Sequence, residues 1–94
     1  MTSLHVVITG RVHGVGYRDA LKAQAETLGI SGWVRNRTDG SVEAVLQGSD
    51  RALQAALEWA RRGPPLARVD GVRADPVRPD AARLYSGFER RPTA

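Results

Sequence analysis

The 94-residue sequence has no cysteine, and Lys22 is its one lysine. Aromatic residues are also scarce, at two Trp, two Tyr and one Phe. Without cysteine there is no disulfide framework, no thiolate nucleophile and no thiolate ligand for a metal. His5 and His13 are the only imidazoles. No His, Asp and Glu cluster has metal-ligand spacing, so neither a metal nor another cofactor is expected. No two carboxylates are placed obviously for paired acid and base work. No apolar run approaches the ~20 residues that span a bilayer, and the N-terminus lacks the charged and apolar regions of a signal peptide. Low-complexity tracts and internal repeats are absent. These absences lead to an expected single domain over residues 1–94, in the cytoplasm, with no membrane partner and acting as a monomer.

The charge is lopsided towards arginine. The net formal charge is +4, with 14 basic residues of which all but Lys22 are arginines. The basic residues at 61–62, 68, 73, 78, 83 and 90–91 are scattered among acids and read as solvated faces rather than a nucleic-acid patch. A modest positive field would still gather an anionic substrate.

The most informative stretch is Gly10-Arg11-Val12-His13-Gly14-Val15-Gly16-Tyr17-Arg18. It joins the apolar run Leu4–Ile8 to a segment with helical spacing. A glycine-rich loop entering a helix makes an anion cradle, because peptide N–H groups converge and the helix dipole adds positive charge. Arg18 adds a planar fork of donors suited to phosphate or carboxylate. An arginine opposes the dipole in a first turn, where Asp19 suits it, so its presence there points to an anionic ligand. On spacing alone an ordinary strand-to-helix turn stays open as the other reading.

Other phosphate loops fit poorly. A Walker-type loop needs a second glycine where Val15 stands, followed by Lys-Ser/Thr. A dinucleotide loop needs a third glycine where Asp19 stands. Val12 and Arg18 have the spacing of a cysteine-phosphatase loop but no sulfur. Water must therefore attack, and the leaving group must depart without an evident general acid. A carboxylate does so readily, since its conjugate acid has a pKa of roughly 4. The loop thus suits a mixed anhydride of phosphate and a carboxylic acid better than a phosphate monoester.

Residues Gly10–Arg18 resemble the signature of the acylphosphatase family, Gly-[Arg/Lys]-Val-Gln-Gly-Val-x-[Phe/Tyr]-Arg. Gly32-Trp33-Val34-Arg35-Asn36 is similar to that family's second motif, with Asp39-Gly40-Ser41-Val42-Glu43 following, and Gly63–Val69 is also family-like. The resemblance covers roughly residues 4–89, with a short tail over 90–94. It implies hydrolysis of small acyl phosphates to carboxylate and inorganic phosphate without a metal. It places the phosphate-binding arginine at Arg18 and the water-positioning asparagine at Asn36, with Val12, His13, Gly14, Val15, Gly16, Tyr17 and Arg18 as the phosphate-binding loop. His13 replaces the usual glutamine. The family's last strand usually continues with an aliphatic residue after its phenylalanine, whereas Phe88 is followed here by Glu89-Arg90-Arg91-Pro92. Read without the resemblance, Asn36 would pair with backbone beside the Asp39-Gly40 turn.

Patterning gives the expected architecture. Residues 4–9 read as a buried strand. Tyr17, Leu21, Ala25 and Leu28 lie at helical spacing and stop at Gly29. Residues 31–38 and 41–47 read as a hairpin around Asp39-Gly40. Alternation places Val42, Ala44 and Leu46 on one face, Glu43 and Val45 on the other. A second helix, capped by Ser49 or Asp50, carries Leu53, Ala56, Leu57 and Ala60 and ends at Gly63-Pro64-Pro65. A strand over 67–74, a loop marked by Pro76 and Pro79, and an extended piece over 85–88 complete the chain. The order βαββαβ implies an α+β ferredoxin-like sandwich, an antiparallel sheet with both helices on one face. Tyr17, Trp33 and Trp59 read as packing residues, Trp33 being near enough in sequence to influence Asn36. His5 reads as structural, and His13 as an exposed loop side chain.

Two other functions share this order. A basic nucleic-acid-binding module would stack bases on aromatics of a central strand, but residues 41–47 hold none. The N-terminal part of a larger carbamoyl-transfer enzyme also resembles the acylphosphatase family.

Overall fold

The computed structural model describes residues 1–78 and 83–94. The elements are β1 (Thr2–Arg11), α1 (Tyr17–Thr27), β2 (Ser31–Asn36), β3 (Val42–Gly48), α2 (Asp50–Arg62), β4 (Arg68–Pro76) and β5 (Phe88–Arg90). One sheet runs in the order β4-β1-β3-β2-β5. Its first four strands pair antiparallel, while β5 lies parallel to β2, with Gly32 opposite Phe88 and Val34 opposite Arg90. The sandwich is therefore the expected one with a mixed rather than wholly antiparallel sheet.

The alternation that marked the strands decides which side chains are buried between layers. Val6 and Ile8 of β1, Val34 of β2, and Val42, Ala44 and Leu46 of β3 meet Leu21 and Ala25 of α1 and Leu53, Ala56 and Leu57 of α2. All seven residues of β3 are buried, because it is the central strand and its other face is also covered. On that face Gln47 accepts from the Tyr85 backbone N–H through Oε1 (3.0 Å) and donates through Nε2 to the Ser3 hydroxyl (2.9 Å). Glu43 accepts hydrogen bonds there from Arg35 Nε at 2.7 Å and from the His5 ring at 2.6 Å. Burial alone would raise the Glu43 pKa, but these two partners outweigh it and hold the carboxyl below its ordinary range. His5 is accordingly a structural residue on a half-exposed face.

Element ends differ from the sequence expectation where pairing partners lie far away in sequence. β1 spans Thr2–Arg11 rather than 4–9, because β3 and β4 pair along its whole length. β2 stops at Asn36 rather than continuing to 38, since the hairpin turn begins there. β4 runs on to Pro76, which an edge strand tolerates because no further strand needs its missing N–H. Pro79 lies outside the described residues. The last strand begins at Phe88 rather than near 85, and the expected tail is paired. Arg91 N–H donates to the Val34 carbonyl (2.8 Å), Ala94 N–H to the Asn36 carbonyl (3.0 Å), and Thr38 N–H to the Ala94 carbonyl (2.9 Å). Among the described residues, no helix is long and apolar enough to cross a membrane.

Candidate active site

β1 ends in a bulge between Thr9 and Gly10, which turns the chain into the loop 12–16. Val12 then drops into the core at 1 % exposure and anchors the loop from below. Gly14 and Gly16 both adopt left-handed backbone, φ 71° and 76°. A Cβ at either position would meet no atom within 4 Å, so the backbone conformation, not space, selects glycine. Gly16 is the N-cap of α1 and offers no side-chain cap. The first N–H groups of the helix thus have no side-chain cap and are donors that an anion would satisfy.

Tyr17 begins the helix and fixes its position. Its ring is buried against Trp59 with centroids 5.5 Å apart, and its hydroxyl donates to the Ala60 carbonyl at 2.7 Å. Burial pushes this phenol far above its ordinary pKa, so it is a neutral packing group. His13 differs from the exposed side chain expected. It is half-buried, and its Nε2–H donates to the Ser41 carbonyl at 2.8 Å, tying the loop to the start of β3. A residue paired across 28 positions leaves no local sequence signal.

Asn36 arrives from the other side as the last residue of β2, opposite Val42 of β3. Its backbone carbonyl is held by the Ala94 N–H. Its side-chain Oδ1 is buried and has no hydrogen-bond partner among the described residues. The local pairing open to it in the sequence is made by Asp39 instead, whose Oδ1 accepts from Ser41 N–H at 2.9 Å and Ser41 hydroxyl at 2.6 Å. Those bonds hold the Asp39 carboxyl below its usual range. A buried acceptor left unpaired costs free energy, so Asn36 marks a place where a donor is wanted.

These pieces enclose one cleft of about 220 Å³, lined by Val12, Gly14, Gly16, Tyr17, Arg18, Asp19, Asn36 and Arg90. The cleft joins the glycine loop and Arg18 to Asn36, which lies 18 positions beyond Arg18 in the sequence. The side chains of His13 and Val15 do not line it; Val15 packs towards the core instead. Trp33 is also elsewhere, on the opposite face of the sheet, where the guanidinium groups of Arg35 and Arg91 lie 4.9 and 4.7 Å from its ring centre. The sequence reading missed Asp19 and Arg90 as cleft residues. Arg90 is brought in only because β5 pairs with β2, a contact that no local pattern announces. Among the described residues no three His, Asp or Glu side chains are grouped to hold a metal ion.

Two helices on one face of a five-stranded sheet define an α+β protein of the ferredoxin-like class. The sequence profile of the acylphosphatase family matches residues 4–90. An acylphosphatase from Thiobacillus denitrificans is 52 % identical over 91 residues, covering 97 % of this chain and 98 % of that one. The crystal structure of the Bacillus subtilis acylphosphatase superposes with a TM-score of 0.91 at 31 % identity, covering 97 % of this chain and 99 % of the other. The Coxiella burnetii acylphosphatase gives 0.90 at 36 % identity, covering 96 % and 92 %. The chain belongs to the acylphosphatase family, and its activity is hydrolysis of acyl phosphates. The nucleic-acid reading is not favoured. On the sheet face away from the helices Trp33 is only 7 % exposed, with the Arg35 and Arg91 guanidinium groups over its ring and its Nε1–H donating to the Tyr85 hydroxyl, so its ring is not open for a base to stack on.

Proposed function

We propose that the chain hydrolyses small acyl phosphates in this cleft by direct attack of water on phosphorus, with no metal and no covalent intermediate. The observation that carries this reading is the buried, unpartnered Oδ1 of Asn36 in the same cleft as the glycine loop and Arg18. The loop amides and Arg18 hold the phosphoryl oxygens and stabilise their charge as the bond breaks. Asn36 Oδ1 accepts a hydrogen bond from water and turns its lone pair towards phosphorus. As the new P–O bond forms, the bond to the acyl oxygen breaks and its electron pair leaves on the carboxylate. The water proton passes to phosphate or solvent. No general acid is needed, because the departing carboxylate is a weak base. Positioning and electrostatics supply most of what phosphoryl transfer requires. The enzyme is proposed to act as a cytoplasmic monomer with inorganic phosphate as its inhibitory product.

The test is hydrolysis of benzoyl phosphate in water carrying heavy oxygen. The label is expected in inorganic phosphate and not in benzoate. A chelator should leave the rate unchanged, and added phosphate should compete with substrate. Label in benzoate, or activity lost on chelation and restored by a divalent ion, would overturn the mechanism.

A further inference from the structure

The cleft contains two guanidinium groups and a carboxylate, and they are not equivalent. Arg18 forms no ion pair among the described residues, although Asp19 is its immediate neighbour. Asp19 is instead taken by Arg90, whose Nη1 lies 2.5 Å from Asp19 Oδ1 across 71 positions of sequence. Arg90 points to the helix side of the sheet because it shares its register position with the core residue Val34. It belongs to the stretch in which this sequence departs from the family's aliphatic continuation.

An unpaired carboxylate beside a phosphate cradle would do two harmful things. It would repel the phosphoryl dianion, and it would offer Arg18 a competing bidentate partner. An aspartate is ionised at neutral pH at its ordinary pKa, and the Arg90 hydrogen bond lowers that pKa further, so Asp19 has to be dealt with as a charge. We propose that Arg90 is a positioning residue for the hydrolysis: it holds and neutralises Asp19, which leaves the Arg18 fork free for the phosphoryl group. This rests on the reading of the loop and Arg18 as the phosphate cradle.

The test is a double-variant cycle read in phosphate inhibition and in KM against kcat. Arg90→Gln should weaken phosphate inhibition and raise KM for benzoyl phosphate by roughly three- to tenfold, with kcat changing less. The defect should shrink at high ionic strength, where exposed charges are screened. Arg90→Gln combined with Asp19→Asn should bring phosphate affinity back towards the parent value, because the charge to be neutralised is gone. If the double variant stays as weak as Arg90→Gln alone, Arg90 contacts the substrate directly and the proposal is overturned. It is equally overturned if Arg90→Gln leaves KM and inhibition unchanged. Failure of the cradle reading itself would look different: Arg18→Ala would then retain phosphate affinity in every background.

Discussion

Arg18→Ala should reduce kcat/KM for an acyl phosphate by on the order of 10³-fold or more, the scale of losing an arginine that meets developing phosphoryl charge. The loss should appear in binding as well as in turnover, since the proposed role of this guanidinium is to meet the phosphoryl oxygens before and during reaction. Folding stability should change little, because Arg18 carries no ion pair among the described residues and sits half-exposed at the helix start. Removing a cation from a first turn even improves the match with the helix dipole. Arg18→Lys keeps the charge but loses the planar fork, and it should remain severely impaired. Phosphate affinity is checked by calorimetry and kcat/KM by phosphate release. Near-normal affinity in Arg18→Ala would remove the loop from the site.

Asn36→Ala separates binding from chemistry. Its proposed partner is the attacking water, which becomes charged and more firmly held only as reaction proceeds. An interaction made mainly in the transition state appears in kcat rather than in ground-state binding. The variant should lose about 10²-fold or more in kcat, with phosphate affinity almost unchanged because Arg18 and the loop amides remain. Stability should not fall, because the substitution removes a buried acceptor without a partner among the described residues. Thermal unfolding, phosphate affinity and kcat on the same preparation decide the matter. A destabilised protein with full turnover per folded molecule would take Asn36 out of the mechanism.

Local signals made the architecture legible. The Asp39-Gly40 turn, the Ser49 cap of α2 and the alternation in β3 each depend on neighbouring residues, so they survive being read without a structure. The loop of positive-φ glycines was legible for the same reason. What stayed hidden depends on pairings between distant positions. The parallel docking of β5 on β2 brings Arg90 to Asp19, and the backbone N–H of Ala94, beyond that strand, holds the Asn36 carbonyl. Neither leaves a periodic trace in a three-residue strand. His13 was misjudged as exposed because its partner is a backbone carbonyl of β3, which side-chain identity does not reveal. Trp33, only three positions before Asn36, was placed too close to the site. An odd number of residues along a strand puts a side chain on the opposite face.

Residues 12–18 are proposed to cradle the phosphoryl group beside Asn36. The most direct measurement is a titration of nitrogen-15-labelled protein with inorganic phosphate, followed by amide chemical shifts. The largest shifts are expected on the amides of residues 14–18 and on the Asn36 side chain, saturating with one dissociation constant that equals the competitive inhibition constant against an acyl phosphate. Shifts centred on the opposite sheet face around Trp33 and Arg91, or a dissociation constant unrelated to inhibition, would contradict it.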